Sequence, residues 1–367
     1  MKRSLIAGAA AAVLATGAVV ADRRIRTVRR TGVAALDAFA PPEPVRAGFV
    51  RADDRLRLYY ELDGPDEADC TVVLVHGFCL NRDDLVPQRR ALIDRFGDGI
   101  RIVSFDLRSH GKSERSTPDR ATIDQLGADL RAVIDALAPT GSLVLIGHSM
   151  GGMTVLALAD AHPELFGARV KAVGLLGTST GKVAALSLGV PAALTKLSDP
   201  LVGFALRGAS SRSAFVERLR ARERRLRSEQ SSIESFGSRT ERSEGRLVTD
   251  VAWAFVQRLA FGPKPDPALV EFITQLIGAT PVDVIAEFYP ALMSHDKVDA
   301  LKVLDGLPVA IICGADDLIT PVEHSEAMAA ALPTAELVVI PDVGHQAHLE
   351  RPDLANPPLL RLMEHVG

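Results

Sequence analysis

This chain of 367 residues is poor in cysteine, and its charges nearly cancel. Its three cysteines, Cys70, Cys79 and Cys313, cannot all pair among themselves, and no spacing among them suits a zinc site. Cys313 ends an apolar run and reads as a small buried hydrophobe, so no disulfide is expected. A formal net charge of -4 provides no pull toward nucleic acid, which is therefore not an expected partner. No internal repeat is evident. What the chain does have is an ordinary globular composition, 47% hydrophobic and 24% charged, enough for one large domain or two modest ones.

Charge is absent from one further place. Lys2 and Arg3 precede an uncharged run from Leu5 to Ala21, followed by Asp22 and then Arg23, Arg24, Arg26, Arg29 and Arg30. The run is close to the lower limit for a membrane span, and it is rich in Ala and Gly. Residues 1–30 thus read as a hydrophobic anchor or signal segment. The arginine-rich flank favours an anchor that leaves the rest of the chain on the cytoplasmic face. The alternatives are export after cleavage near Val19-Val20-Ala21 and a loosely attached helix. Residues 31–46, with Pro41, Pro42 and Pro44, read as a linker.

Beyond the linker, Arg55 to Leu62 alternates apolar and polar residues, the period of a half-buried strand, and Asp53-Asp54 supplies a turn before it. Continuous apolar runs follow at Val72 to Val75, Ile100 to Phe105, Leu143 to Ile146, Val170 to Leu176, Val309 to Ile312 and Leu337 to Ile340. Such runs suit parallel strands covered on both faces. Helical patterns separate most of them, at Leu85 to Phe96, Ile123 to Leu137, Met150 to His162 and Val322 to Leu332. This alternation predicts an α/β fold with a mostly parallel central sheet and helices on both faces. Between Thr178 and Pro308 the rhythm breaks, and the clearest patterns are helical, at Val251 to Phe261, Leu269 to Ile277 and Val282 to Tyr289. Residues 181–300 are therefore expected to form an inserted helical cap, with 47–180 and 301–367 as the core.

Gly147-His148-Ser149-Met150-Gly151 follows a strand and opens a helix. A serine on so tight a turn needs glycine two positions to either side, and the turn lifts its hydroxyl above the sheet edge. The helix N-terminus behind it favours developing negative charge. Leu74-Val75-His76-Gly77-Phe78 ends an earlier strand. The amides of Phe78 and Met150 are candidates for an oxyanion hole, in which losing one donor typically costs roughly 3 kcal/mol of barrier. His76 reads as a loop brace. Two adjacent carboxylates, Asp316 and Asp317, follow the strand Val309 to Ile312. His345 follows the last strand on a glycine-bearing loop, and His348, its near rival, reads as a surface residue at a helix start. His110 and His148 read as loop braces; His162, His295, His324 and His365 are placed at polar helix ends.

These pieces resemble the α/β-hydrolase superfamily, in its serine esterase, monoglyceride-lipase and non-haem haloperoxidase-like branch. The resemblance rests on His76-Gly77-Phe78, Asp106-Leu107-Arg108-Ser109-His110-Gly111-Lys112-Ser113, the elbow at Ser149, Gly314-Ala315-Asp316-Asp317 ahead of Pro321, and Gly344-His345. Ser109 departs from the glycine usual there. The resemblance covers about 47–180 and 303–366. It implies an α/β-hydrolase fold with Ser149 as nucleophile, His345 as base and, by the family's spacing, Asp317 as the acid. It implies cleavage of lipid-like or acylglycerol esters through an acyl-enzyme, with no metal or organic cofactor. Perhydrolysis and carbon–carbon bond hydrolysis use the same triad; a catalytically silent binding protein is the non-enzymatic alternative. A serine at the elbow argues against epoxide hydrolases and dehalogenases, which use a carboxylate there. Phe204, Trp253, Phe255, Phe261, Phe272, Phe288 and Tyr289 either line an acyl site or pack the cap. Arg212–Arg227 reads as a solvated helix or, second, as a basic helix on an acidic membrane surface, a possible partner; Ser228 to Gly245 reads as a loop. Oligomeric state is not legible.

Overall fold

A computed structural model describes residues 36–181 and 253–366. Eight strands form one sheet: β1 (Arg46–Arg51), β2 (Arg57–Asp63), β3 (Cys70–Val75), β4 (Arg101–Phe105), β5 (Ser142–His148), β6 (Val170–Leu176), β7 (Val309–Gly314) and β8 (Glu336–Ile340). Their order is β1-β2-β4-β3-β5-β6-β7-β8. β1 and β2 form an antiparallel hairpin, β2 pairs antiparallel with β4, and every other pairing is parallel. The expected α/β-hydrolase architecture is what the chain forms.

The continuous apolar runs are explained by burial on both faces. Val73, Val75, Leu143 and Leu145 pack in one cluster with residues of helices Ile123–Leu137 and Met150–Ala161. Val72, Leu74, Val144 and Ile146 pack in another with Val86–Phe96 and Pro352–Arg361. Adjacent residues of one strand thus serve opposite layers, which requires every position to be apolar. Thr122 caps the helix Ile123–Leu137 by accepting the amide of Gln125, and its buried stripe of Ile123, Leu126, Leu130, Val133 and Leu137 follows the predicted spacing.

The hairpin differs from expectation. β2 is not half-buried: Glu61 and Asp63, on the face expected outside, are buried against Arg82 and Arg89. Ion pairing from the segment after β3 removes the charge that would otherwise force that face into water. In the expected linker, Leu36–Phe39 form a short 3-10 turn whose Phe39 ring stacks on Phe272 at 5.2 Å.

After β6 the chain leaves the sheet, and Gly181 makes an isolated antiparallel bridge to Asp296 where it returns. In between, helices span 253–260, Pro267–Ala279 and Val282–Ser294. Trp253, Phe261 and Phe272 pack with Leu80 and Leu349, and Phe288 joins the main core; Phe255 is exposed. Most of the aromatics on these helices therefore pack them against the rest of the chain. Phe204, the arginine-rich segment Arg212–Arg227 and Ser228–Gly245 lie outside the described residues, as does the run Leu5–Ala21. Among the described residues no single helix is long and apolar enough to cross a membrane.

Candidate active site

Ser149 sits between β5 and the helix Met150–Ala161 with φ 51° and ψ −116°, a left-handed conformation strained for a residue with a Cβ. The glycines make the turn possible. A Cβ on Gly147 would lie 2.5 Å from the Gly151 backbone, and one on Gly151 would lie 2.1 Å from the Val75 carbonyl oxygen. The strain is held from β6: the Ser149 amide donates to the Leu176 carbonyl at 2.9 Å, and the Thr178 hydroxyl donates to the Ser149 carbonyl at 2.7 Å. Among the described residues no acceptor takes the amide hydrogens of Phe78 or Met150.

β7 delivers the carboxylate. Beyond Gly314, Asp316 is exposed and Asp317 is buried. Oδ2 of Asp317 accepts from Nδ1 of His345 at 2.8 Å and from the Thr320 hydroxyl at 2.8 Å, while Oδ1 accepts the amides of Ile319 and Thr320 at 2.8 Å each. Burial alone would raise the Asp317 carboxyl, but the His345 imidazole and the Thr320 donors outweigh it and hold it below the ordinary carboxylate value. A carboxylate so placed fixes the His345 ring with Nδ1 protonated and leaves Nε2 free to accept a proton.

The loop bearing His345 is wedged between the end of β7 and the segment at Phe261. A Cβ on Gly344 would lie 2.5 Å from the Phe261 backbone, and one on Gly314 would lie 2.3 Å from the Gly344 carbonyl oxygen. Glu350 accepts the Gly344 amide at 2.8 Å and the Gly262 amide at 3.0 Å, tying this loop to the segment at Gly262. Gly177, which directly follows the Leu176 that anchors Ser149, closes the group. A Cβ there would lie 3.2 Å from the His345 carbonyl oxygen and 3.5 Å from Oδ2 of Asp317. Ser149, Asp317 and His345 thus converge at the C-terminal ends of β5, β6 and β7, the edge where open α/β sheets bind ligands.

The other histidines divide. His76 braces its loop, with Nε2 accepting the Leu107 amide at 2.9 Å, and His110 faces the Arg108 carbonyl. His348 is not a surface residue: it is buried, with Nε2 3.2 Å from Oδ1 of Asp84. His295 is likewise buried, 3.2 Å from the Ser179 carbonyl. Asp84, Thr320 and Glu350 were not singled out from sequence. Only Thr320, three residues after a candidate acid, left a local signal. Asp84, His148 and His348 have the composition of a metal site. Yet Asp84 Oδ2 and His148 Nδ1 stand 2.7 Å apart, hydrogen-bond distance and closer than two ligands of one zinc ion with bonds of about 2.0–2.2 Å would sit.

The α/β-hydrolase fold family model matches residues 71–352. The chain belongs to that family. It is a hydrolase by that membership and by its relatives. A Caulobacter sp. (strain K31) protein bearing the name carbamate hydrolase RutD is 26% identical over 316 residues, covering 83% of this chain and 95% of its own. The mouse sn-1-specific diacylglycerol lipase ABHD11 is 24% identical over 310 residues, covering 83% of this chain and 85% of its own. Among solved structures, a thermophilic esterase from Thermogutta terrifontis superposes with a TM-score of 0.62 at 25% identity, over 88% of this chain and 99% of its own.

Proposed function

We propose that this hydrolase cleaves carboxylic esters by two-step acyl transfer. Ser149 attacks the ester carbonyl while Nε2 of His345 takes its proton, and Asp317 orients and stabilises the resulting imidazolium. The amides of Phe78 and Met150 receive the oxyanion. His345 then activates water to release the acid. The observations that support this reading are the strained Ser149 at the end of β5 and the buried His345–Asp317 pair closed at 2.8 Å, linked through β6, where Leu176 accepts the Ser149 amide and the next residue, Gly177, packs against His345. Lipid-like or acylglycerol esters are the favoured substrates: the mouse relative is named as a diacylglycerol lipase and the Thermogutta protein as an esterase. The same carbonyl attack serves a carbamate, the second reading, which the RutD relative favours.

The sheet portions and the helices between β6 and β7 are read as core (47–180 and 301–367) and cap (181–300). The run Leu5–Ala21 is read as an anchor that holds the enzyme at a membrane with its catalytic part on the cytoplasmic face. A fluorophosphonate probe followed by peptide mapping should place the adduct on Ser149, and His345→Ala should abolish it. A panel of 4-nitrophenyl esters and monoacylglycerols of rising chain length, run beside ammonium carbamate, separates the substrate readings. A wild-type protein that is neither labelled nor active on any of these overturns the proposal. Release of the full-length chain from membranes by carbonate would overturn the anchor.

A further inference from the structure

We propose that His148 is a positioning residue for the base, forming with Asp84 a buried ion pair that pins the backbone of His345. This rests on the reading of His345 as the base. Nδ1 of His148 lies 2.7 Å from Oδ2 of Asp84, and Nε2 lies 3.3 Å from the carbonyl oxygen of His345 itself. Neither partner atom has a hydrogen to give, so both ring nitrogens must donate and the ring is an imidazolium. Asp84 is built to stay a carboxylate: Oδ2 also accepts the Gly77 amide at 3.0 Å, and Oδ1 faces Nε2 of His348 at 3.2 Å. Asp84 and His148 are both fully buried, and a buried pair of this kind persists only when its remaining lone pairs and hydrogens are satisfied, as here. The ring is seated against Gly77, where a Cβ would lie 2.7 Å from Nδ1.

Two consequences reach His345. Its carbonyl is held by a charged donor, which fixes the rotation of the wedged loop and so the aim of its ring. The His148 ring centroid also stands 4.9 Å from that of His345, so the ring it pins by its backbone is also packed directly against it. The titratable groups facing His148 are Asp84, His345, His348 at 4.2 Å between ring centroids, and His76. Burial, with His148 adding to it, pushes His348 below the ordinary histidine value, and burial pushes His76 down to about 4. These two are neutral near neutral pH, which leaves Asp84 as the counter-ion.

The test uses the full chain with 15N-labelled histidine. In the wild type, both ring nitrogens of His148 should carry a hydrogen, one bonded to Asp84 and one to the His345 carbonyl; a ring with one bare nitrogen overturns the proposal without any variant. His148→Gln keeps a donor for the His345 carbonyl but no charge, and His148→Leu keeps only the volume. On 4-nitrophenyl butyrate, kcat should fall about 10-fold for Gln and about 100-fold for Leu, with KM changed less than about twofold. A Leu variant with wild-type melting temperature and kcat overturns the proposal. If the wild type neither hydrolyses esters nor labels with fluorophosphonate, the ester reading fails, while the ring protonation state still decides the pair.

Discussion

Thr320 donates its hydroxyl hydrogen to the same oxygen of Asp317 that faces Nδ1 of His345, each at 2.8 Å. The carboxylate is thus held against rotation while it orients the ring. Thr320→Val keeps the shape and removes the donor. The loss of one hydrogen bond to a buried charged group should cost about 1.5–3 kcal/mol of folding stability, read by urea unfolding. The same loosening should lower kcat on a 4-nitrophenyl ester by about 10-fold; an unchanged kcat would mean that the Ile319 and Thr320 amides suffice.

The two adjacent carboxylates provide a second test. Asp317 is buried on His345 and Asp316 is exposed. Asp317→Asn leaves the geometry but presents the wrong hydrogen-bonding group to Nδ1, and should lower kcat by about 10⁴-fold. Asp316→Asn should change it less than about twofold. The reverse ranking in steady-state kinetics would overturn the assignment.

The parts of this fold that were legible in the sequence are those where one short window carries the cause. Val170–Leu176 reads as a doubly buried strand because each of its faces meets a helix layer, and Gly147 and Gly151 betray the elbow because a Cβ at either would strike backbone. The burial of Glu61 and of His348 is not legible locally because their surroundings come from elsewhere in the chain. Glu61 is neutralised by Arg82 and Arg89, and His348 is drawn inside by Asp84, 264 residues away. Periodicity cannot report a charge whose partner lies on another element.

The elbow allows a sharp prediction about stability. A Cβ at position 151 would sit 2.1 Å from a backbone oxygen of β3, which cannot swing aside as a side-chain end can. Gly151→Ala should cost more than about 3 kcal/mol. Thermal unfolding should show a large drop or no folded protein; a near-native melting temperature would mean that β3 and the helix slide apart more readily than close packing permits.

Buried histidines set a pH dependence. Burial pushes His110 down to about 3 from an ordinary 6.5, so the unfolded chain takes up this proton first as the pH falls. The stability this group contributes is therefore complete above pH 6.5 and is lost as the pH falls from 6.5 toward 3, at roughly 1.4 kcal/mol per pH unit. Asp129, raised to about 6 by burial, runs the other way, because the folded state binds its proton first. Comparing variants isolates the histidine: between pH 6.5 and 5 the wild type should lose about 2 kcal/mol more than His110→Gln. Denaturant unfolding at the two pH values checks this, and equal losses would refute a neutral buried His110.

Glu350 offers the test of how the segment at Gly262 and the loop bearing His345 are joined. One carboxylate takes the amides of both Gly344 and Gly262, which otherwise have no acceptor among the described residues. Both glycines are buried, so neither amide can turn to water. Burial raises the Glu350 carboxyl above its ordinary value, and the two amides counter that rise. Glu350→Gln keeps an acceptor oxygen and should cost less than about 1 kcal/mol, whereas Glu350→Ala strands two buried donors and should cost about 2–5 kcal/mol. The Ala variant should also lose kcat more than KM, because Gly344 immediately precedes His345, the proposed base. Urea unfolding with steady-state kinetics on both variants checks this. An Ala variant as stable and as active as Gln would show that the Gly344 turn is held by packing against Phe261 alone.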